Sequence, residues 1–123
     1  MKIKRLIILL VLPLLVCGCN EQKEEVAKVE QINCEQKNKL LTEGASLIDV
    51  RTSAEFEEGH LDEAINISAE TIANTIEGVI TDKEAKIIVY CRSGNRSATA
   101  AEALINKGYS NVYDLGAMSS CES

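Results

Sequence analysis

Cys91 closes an apolar run, in the stretch IIVYCRSGNRSATAAEALI that covers residues 87–105. Six residues, Cys91 to Arg96, hold a thiol, two arginines and a glycine, and a helical pattern begins near Ser97. A tight loop running into a helix N-terminus turns its backbone N–H groups toward one point and favours an anion there. A sulfur at that point is favoured as thiolate, which lowers its pKa and makes it a nucleophile at neutral pH. Gly94 can take the positive φ such a curl requires. Arg92 and Arg96 add fixed positive charge for an anionic substrate. The alternative is a buried core cysteine before a surface loop with two solvated arginines, which leaves the joint presence of cysteine, glycine, arginines and helix start unexplained.

The elements around this loop alternate. EQKNKLLTEG reads as a short helix closed by Gly44, SLIDV as a buried strand, SAEFEEG as a turn or two of helix, and AINI as another strand. SAETIANTIEGVI puts Ile72, Ala73, Ile76, Val79 and Ile80 on one helical face. KIIVY is the most apolar strand, SATAAEALINKG a helix stopped by Gly108, and VYDL a last short strand. The alternation predicts an α/β fold, a central mostly parallel sheet flanked by helices on both faces. In such sheets ligands bind beyond the carboxyl ends of the strands, which is where Cys91 falls.

The first residues read differently from the rest. Lys2, Lys4 and Arg5 precede an apolar stretch from Leu6 to Val16 that ends in small residues and cysteines. The stretch is short of the roughly 20 residues a membrane-spanning helix needs and suits a secretory signal. Val16-Cys17-Gly18-Cys19 resembles the lipobox of bacterial lipoproteins, which implies cleavage after Gly18 and lipid on Cys19; an ordinary secretory signal or uncleaved anchor is the alternative. The expected organisation is a signal over 1–18, a lipidated Cys19 with a polar tether over 19–31, and one domain over 32–123. The expected location is extracytoplasmic, on a bacterial membrane, held by the N-terminal lipid alone.

Net charge is −6 for the whole chain; from residue 19 onward, 10 basic against 19 acidic residues give −9. This excludes nucleic acid as an expected partner. With no Trp, one Phe and three Tyr, the core has to come from Ile, Leu, Val and Ala. Beyond Cys17 and Cys19, an odd set remains, Cys34, Cys91 and Cys121, in a compartment that favours disulfides. Cys34 and Cys121 are incidental, or bonded to each other, or one of them is a second redox thiol for Cys91. The single histidine, His60, has no cysteine or carboxylate cluster at ligand spacing, so no metal and no cofactor are expected.

IDVRTSAEFEEGHLDEAINI at 48–67, with IVYCRSGNRSATAAEAL and VYDLGAMSS, resembles a single rhodanese domain from about Ile32 to Ser120. The resemblance implies a sulfurtransferase in which Cys91 takes a sulfane sulfur from thiosulfate, a persulfide or a polysulfide, and passes it to a thiol or cyanide. It implies that the amides of Arg92, Ser93, Gly94, Asn95, Arg96 and Ser97 cradle the persulfide, with Arg92 and Arg96 orienting an anionic donor. It gives Asp49, Arg51, Glu55 and His60 mainly structural or secondary parts near the site. Partners are then a small sulfur donor and a thiol acceptor, and the expected state is a monomer. A sulfur-sensing or protein-binding module without turnover is the rival. Related cell-cycle phosphatases and arsenate reductases carry one residue more between cysteine and arginine, so the six-residue loop favours sulfur over phosphate or arsenate. The chain departs from the family's pattern at Asp62-Glu63, at Gly116-Ala117 and at Cys121.

Overall fold

A computed structural model describes residues 27–122; the expected signal, Cys19 and most of the tether lie outside them. Within the described residues the order is β1 (Glu30–Gln31), α1 (Cys34–Thr42), β2 (Ser46–Asp49), α2 (Ser53–Glu57), β3 (Ala64–Asn66), α3 (Ile72–Val79), β4 (Lys86–Cys91), α4 (Asn95–Asn106), β5 (Asn111–Ala117) and a 3-10 turn, Met118–Cys121. The five strands form one sheet in the order β1-β5-β4-β2-β3, and every pairing is parallel.

Alternation along β4 divides the core. Ile87, Val89 and Cys91 face one side, where they pack with Ile72 and Ile76 of α3 and Ala100, Ala101 and Leu104 of α4. Ile88 and Tyr90 face the other, with Leu47, Leu61 and Leu115 buried beside them and Leu40, Leu41 and Phe56 packed against them from α1 and α2. Both faces of β4 are therefore covered, which is why its sequence reads as an unbroken apolar run.

Local chemistry starts the helices. Asn33 and Gln36 form a reciprocal capping box before α1, each side chain accepting the other's backbone N–H at 2.8 Å. Thr52 and Glu55 do the same before α2. Gly44 and Gly108, both at positive φ, follow α1 and α4 as their sequence positions predict.

Three expectations need correction. Glu30 and Gln31, read as the end of a tether, pair in parallel with Tyr113 and Asp114, so a strand the sequence reading did not include precedes α1 and the SLIDV strand. Val79, expected on the buried face of α3, is 48% exposed because the helix ends there. Helix α4 begins at Asn95, two residues before Ser97.

Cys34 and Cys121 form a disulfide between the first residue of α1 and the end of the 3-10 turn. Among the described residues Cys91 is the free cysteine and is buried. Cys121 is therefore neither incidental nor a partner of Cys91 in this structure.

Candidate active site

Strand β4 delivers Cys91 to the carboxyl end of the sheet, between β5 on one side and β2 on the other. This is the switch point, since the chain passes from β2 outward to β3 and from β4 the other way to β5. Gly94, at φ 101°, turns the loop into α4. The turn brings two backbone N–H groups onto the sulfur: Gly94 N donates to Cys91 Sγ at 3.0 Å and Ser97 N at 3.4 Å. The Ser97 hydroxyl is buried and donates to Gly94 O at 3.1 Å, tying the turn to the first turn of the helix.

Burial pushes the Cys91 thiol up, and hydrogen bonds from Ser97, Gly94 and Ser93 outweigh it, so the net shift is downward from the ordinary thiol range. Each of those bonds favours the anion over the thiol. The loop is a partial cradle for sulfur, with the amides of Gly94 and Ser97 already in place.

Strand β5 backs the loop. Its register slips opposite Val89 and Tyr90, so Val89 faces Asp114, Tyr90 faces Gly116 and Cys91 faces Ala117. Buried Asp114 holds the bulge by accepting from Gly116 N at 2.8 Å. A side chain at Gly94 would meet the Gly116 backbone at 3.8 Å, an ordinary contact, so Gly94 answers to its φ rather than to crowding.

The two arginines behave differently. Arg92 is exposed. Arg96 gives Nη1 to Glu55 Oε1 at 2.7 Å and Nη2 to Glu55 Oε2 at 3.0 Å. The Arg96 guanidinium first, and then the backbone N–H of Thr52, hold the Glu55 carboxyl well below the usual carboxylate range. The positive charge expected to face a donor is thus already matched by a carboxylate from α2.

Asp49 and Arg51 are a buried pair with no hydrogen bond to the Cys91 sulfur. Asp49 accepts the Arg51 backbone N–H at 2.9 Å and its Nη2 at 2.7 Å, and the same Nη2 donates to Gly59 O at 2.7 Å. Asn66 Nδ2, which the sequence did not flag, bridges Asp49 O and Arg51 O. Tyr90 Oη accepts Leu61 N at 3.0 Å. These bonds fix the loops after β2 and α2. His60 stacks on Phe56 with ring centroids 3.8 Å apart and engages Leu61 O through Nδ1. Phe56 belongs to the core on the side opposite Cys91, so the structure does not join His60 to the nucleophile. Among the described residues no group of three or more His, Cys, Asp or Glu is placed to hold a metal ion.

A cavity of about 500 Å³ opens at the same sheet edge. Val50, Thr52 and Ser53 from the β2–α2 connection, Ser68 to Glu70 from the β3–α3 connection, and Asn95, Arg96 and Thr99 of α4 form its walls. Cys91 is not one of them; Asn95 and Arg96 are the residues shared by cavity and loop.

Residues 33–119 match the Rhodanese-like domain family. The chain belongs to the rhodanese family. A thiosulfate sulfurtransferase GlpE of Pseudomonas syringae is 33% identical over 90 residues, covering 73% of this chain and 83% of that protein. The corresponding GlpE of Pseudomonas aeruginosa is 34% identical over 86 residues, 70% of this chain and 76% of its own length. Among solved structures, a rhodanese from E. coli with anions superposes with a TM-score of 0.61 at 30% identity, covering 64% of this chain and 93% of that one. A tRNA uridine(34) hydroxylase of Erwinia tasmaniensis is 35% identical over 75 residues, but these make up only 21% of that protein. The rhodanese fold, a parallel sheet between two layers of helices, is as the sequence predicts.

Proposed function

We propose that this rhodanese transfers a sulfane sulfur through a persulfide on Cys91. The observation that carries the proposal is the pair of amide donors, Gly94 N and Ser97 N, on the Cys91 sulfur. With thiosulfate as donor, the thiolate attacks the outer sulfur, an S–S bond forms to Cys91, and sulfite leaves with the electron pair of the bond that breaks. The persulfide then lies over the loop amides. A thiolate or cyanide attacks its outer sulfur, and Cys91 departs as a thiolate. No net oxidation occurs, so no further reactant is needed. Relatives named thiosulfate sulfurtransferase support this class of reaction. The six-residue loop, short for a tetrahedral phosphate or arsenate, supports sulfur over either.

The second reading is a module that holds sulfur or docks a partner without turnover; the small share of the tRNA uridine(34) hydroxylase that the chain matches supports it. Thiocyanate release from thiosulfate and cyanide, measured beside Cys91→Ser, separates the two. Turnover that vanishes in the variant supports transfer, and its absence from both proteins removes thiosulfate:cyanide transfer and leaves other sulfur donors or the module.

Location belongs to the same proposal: a lipid on Cys19 holds the domain outside the cytoplasm of a bacterium. The lipobox-like Val16-Cys17-Gly18-Cys19 supports it, and so does the Cys34–Cys121 disulfide, a bond that persists in oxidising compartments. Cys19→Ser is expected to move the protein from the detergent phase to the aqueous phase; unchanged partitioning would remove the anchor.

A further inference from the structure

The cavity beside the loop is far larger than its proposed donor. Thiosulfate and cyanide are only a few atoms in size, whereas about 500 Å³ falls in the range that holds small organic ligands. Its position gives it a role, since Asn95 and Arg96 line it and also belong to the turn that holds the Cys91 sulfur. A molecule seated there lies against the catalytic loop. We propose that the cavity is the acceptor site, and that the acceptor is an organic thiol of amino-acid to short-peptide size carrying both an ammonium and a carboxylate. This rests on the Cys91 persulfide proposed above.

Charge in the walls selects that class. Glu70 lines the cavity and makes no ion pair among the described residues. Arg96, the wall's one cation, is matched by Glu55. Arg96, Glu55 and Glu70 therefore sum to a net negative charge, which favours a ligand with a cationic group. The guanidinium has five N–H groups, and two are engaged by Glu55. The remaining ones can receive a carboxylate, with the Ser53 hydroxyl in the same wall, while the Thr52 hydroxyl is already given to Glu55. A ligand so placed puts its ammonium on Glu70, its carboxylate on Arg96 and its thiol toward the loop. Transfer is then the balanced exchange already described: the acceptor thiolate forms a bond to the outer sulfur and Cys91 leaves as thiolate.

The test compares cysteine with N-acetylcysteine, which lacks the ammonium, as acceptors for the wild type, Glu70→Gln and Glu70→Lys. Persulfide loading from thiosulfate, read as the gain of one sulfur in intact mass, is measured first on each protein. The ratio of kcat/KM for cysteine over N-acetylcysteine is the readout, because intrinsic thiol reactivity cancels when ratios are compared between proteins. Loss of one charge-assisted contact is expected to lower that ratio by about tenfold in Glu70→Gln, and further in Glu70→Lys. Sulfur loading with the same ratio in all three proteins would overturn the acceptor assignment alone. No sulfur loading on the wild type would overturn the persulfide reading and this inference with it.

Discussion

Arg96 and Glu55 are 41 residues apart in sequence and share two hydrogen bonds, at 2.7 and 3.0 Å, across the mouth of the catalytic turn. The same carboxylate accepts the backbone N–H of Thr52 at 3.1 Å, so one side chain caps α2 and holds the loop arginine. The pair sets both the reach and the net charge of the guanidinium. Glu55→Gln is expected to free the Arg96 charge for an anionic donor and lower the thiosulfate KM, while the looser loop lowers kcat. Arg96→Lys is expected to lower kcat as well, because an ammonium cannot reproduce the two parallel bonds. Steady-state kinetics with thiosulfate as the varied substrate check both.

Cys91 is expected to react as a thiolate at lower pH than a free cysteine. Its pKa is lowered from the ordinary thiol range, so the anion forms at lower pH than in a free thiol and is lost as pH falls through the shifted value. The rate of alkylation by iodoacetamide against pH should show a midpoint below that of a free thiol. Ser97→Ala should move the midpoint upward by loosening the turn that aims the Ser97 and Gly94 amides.

Gly94→Ala tests the backbone rather than the space. At φ 101° an alanine is strained, and such strain costs on the order of 1–3 kcal/mol. A turn that relaxes to negative φ withdraws the Gly94 amide from the sulfur, so sulfur transfer should fall more than stability does. Urea unfolding run beside the thiocyanate assay separates the two effects.

Asp49 balances a guanidinium that is almost fully removed from water. The side chains of Arg51 and Asp49 are 7% and 0% exposed. Asp49→Ala leaves Arg51 uncompensated, and breaking a buried pair in this way costs about 3–5 kcal/mol. The loss should appear as an earlier unfolding midpoint in denaturant.

The Cys34–Cys121 bond closes a loop of 87 residues in sequence separation. Cys34→Ser with Cys121→Ser should lower stability by about 2–5 kcal/mol, and dithiothreitol should do the same to the wild type. Neither residue contacts the Cys91 sulfur in the bonds described above. Thiosulfate turnover per folded molecule should therefore persist in the double variant.

Local signals carried much of the fold and the centre of the site. Cys91, Gly94 and the helix start lie within a few residues of one another, so their spacing alone placed a sulfur over helix amides. Most strands and helices followed from apolar periodicity. What remained hidden depends on partners far away in sequence. Nothing adjacent to Glu55 announces Arg96, although Thr52-Ser53-Ala54-Glu55 is a capping box that marks the start of α2. The bulge at Asp114 and Gly116 shows only once β5 is paired with β4. Strand β1 has two exposed residues on an edge, too few for any alternation to register. The disulfide was one of three open readings of Cys34 and Cys121, because connectivity is a distance and not a pattern.

Seen as a covalent graph, the domain is nearly a ring. Cys34 lies four residues after the start of β1 and Cys121 at the end of the 3-10 turn, so among the described residues every helix and every strand but β1 falls within the closed circuit. A protease that nicks any one connection between them opens the ring without shedding a piece. Cleaved chains would migrate as one species until reduced, and the turn that carries Cys91 would stay covalently joined to the rest.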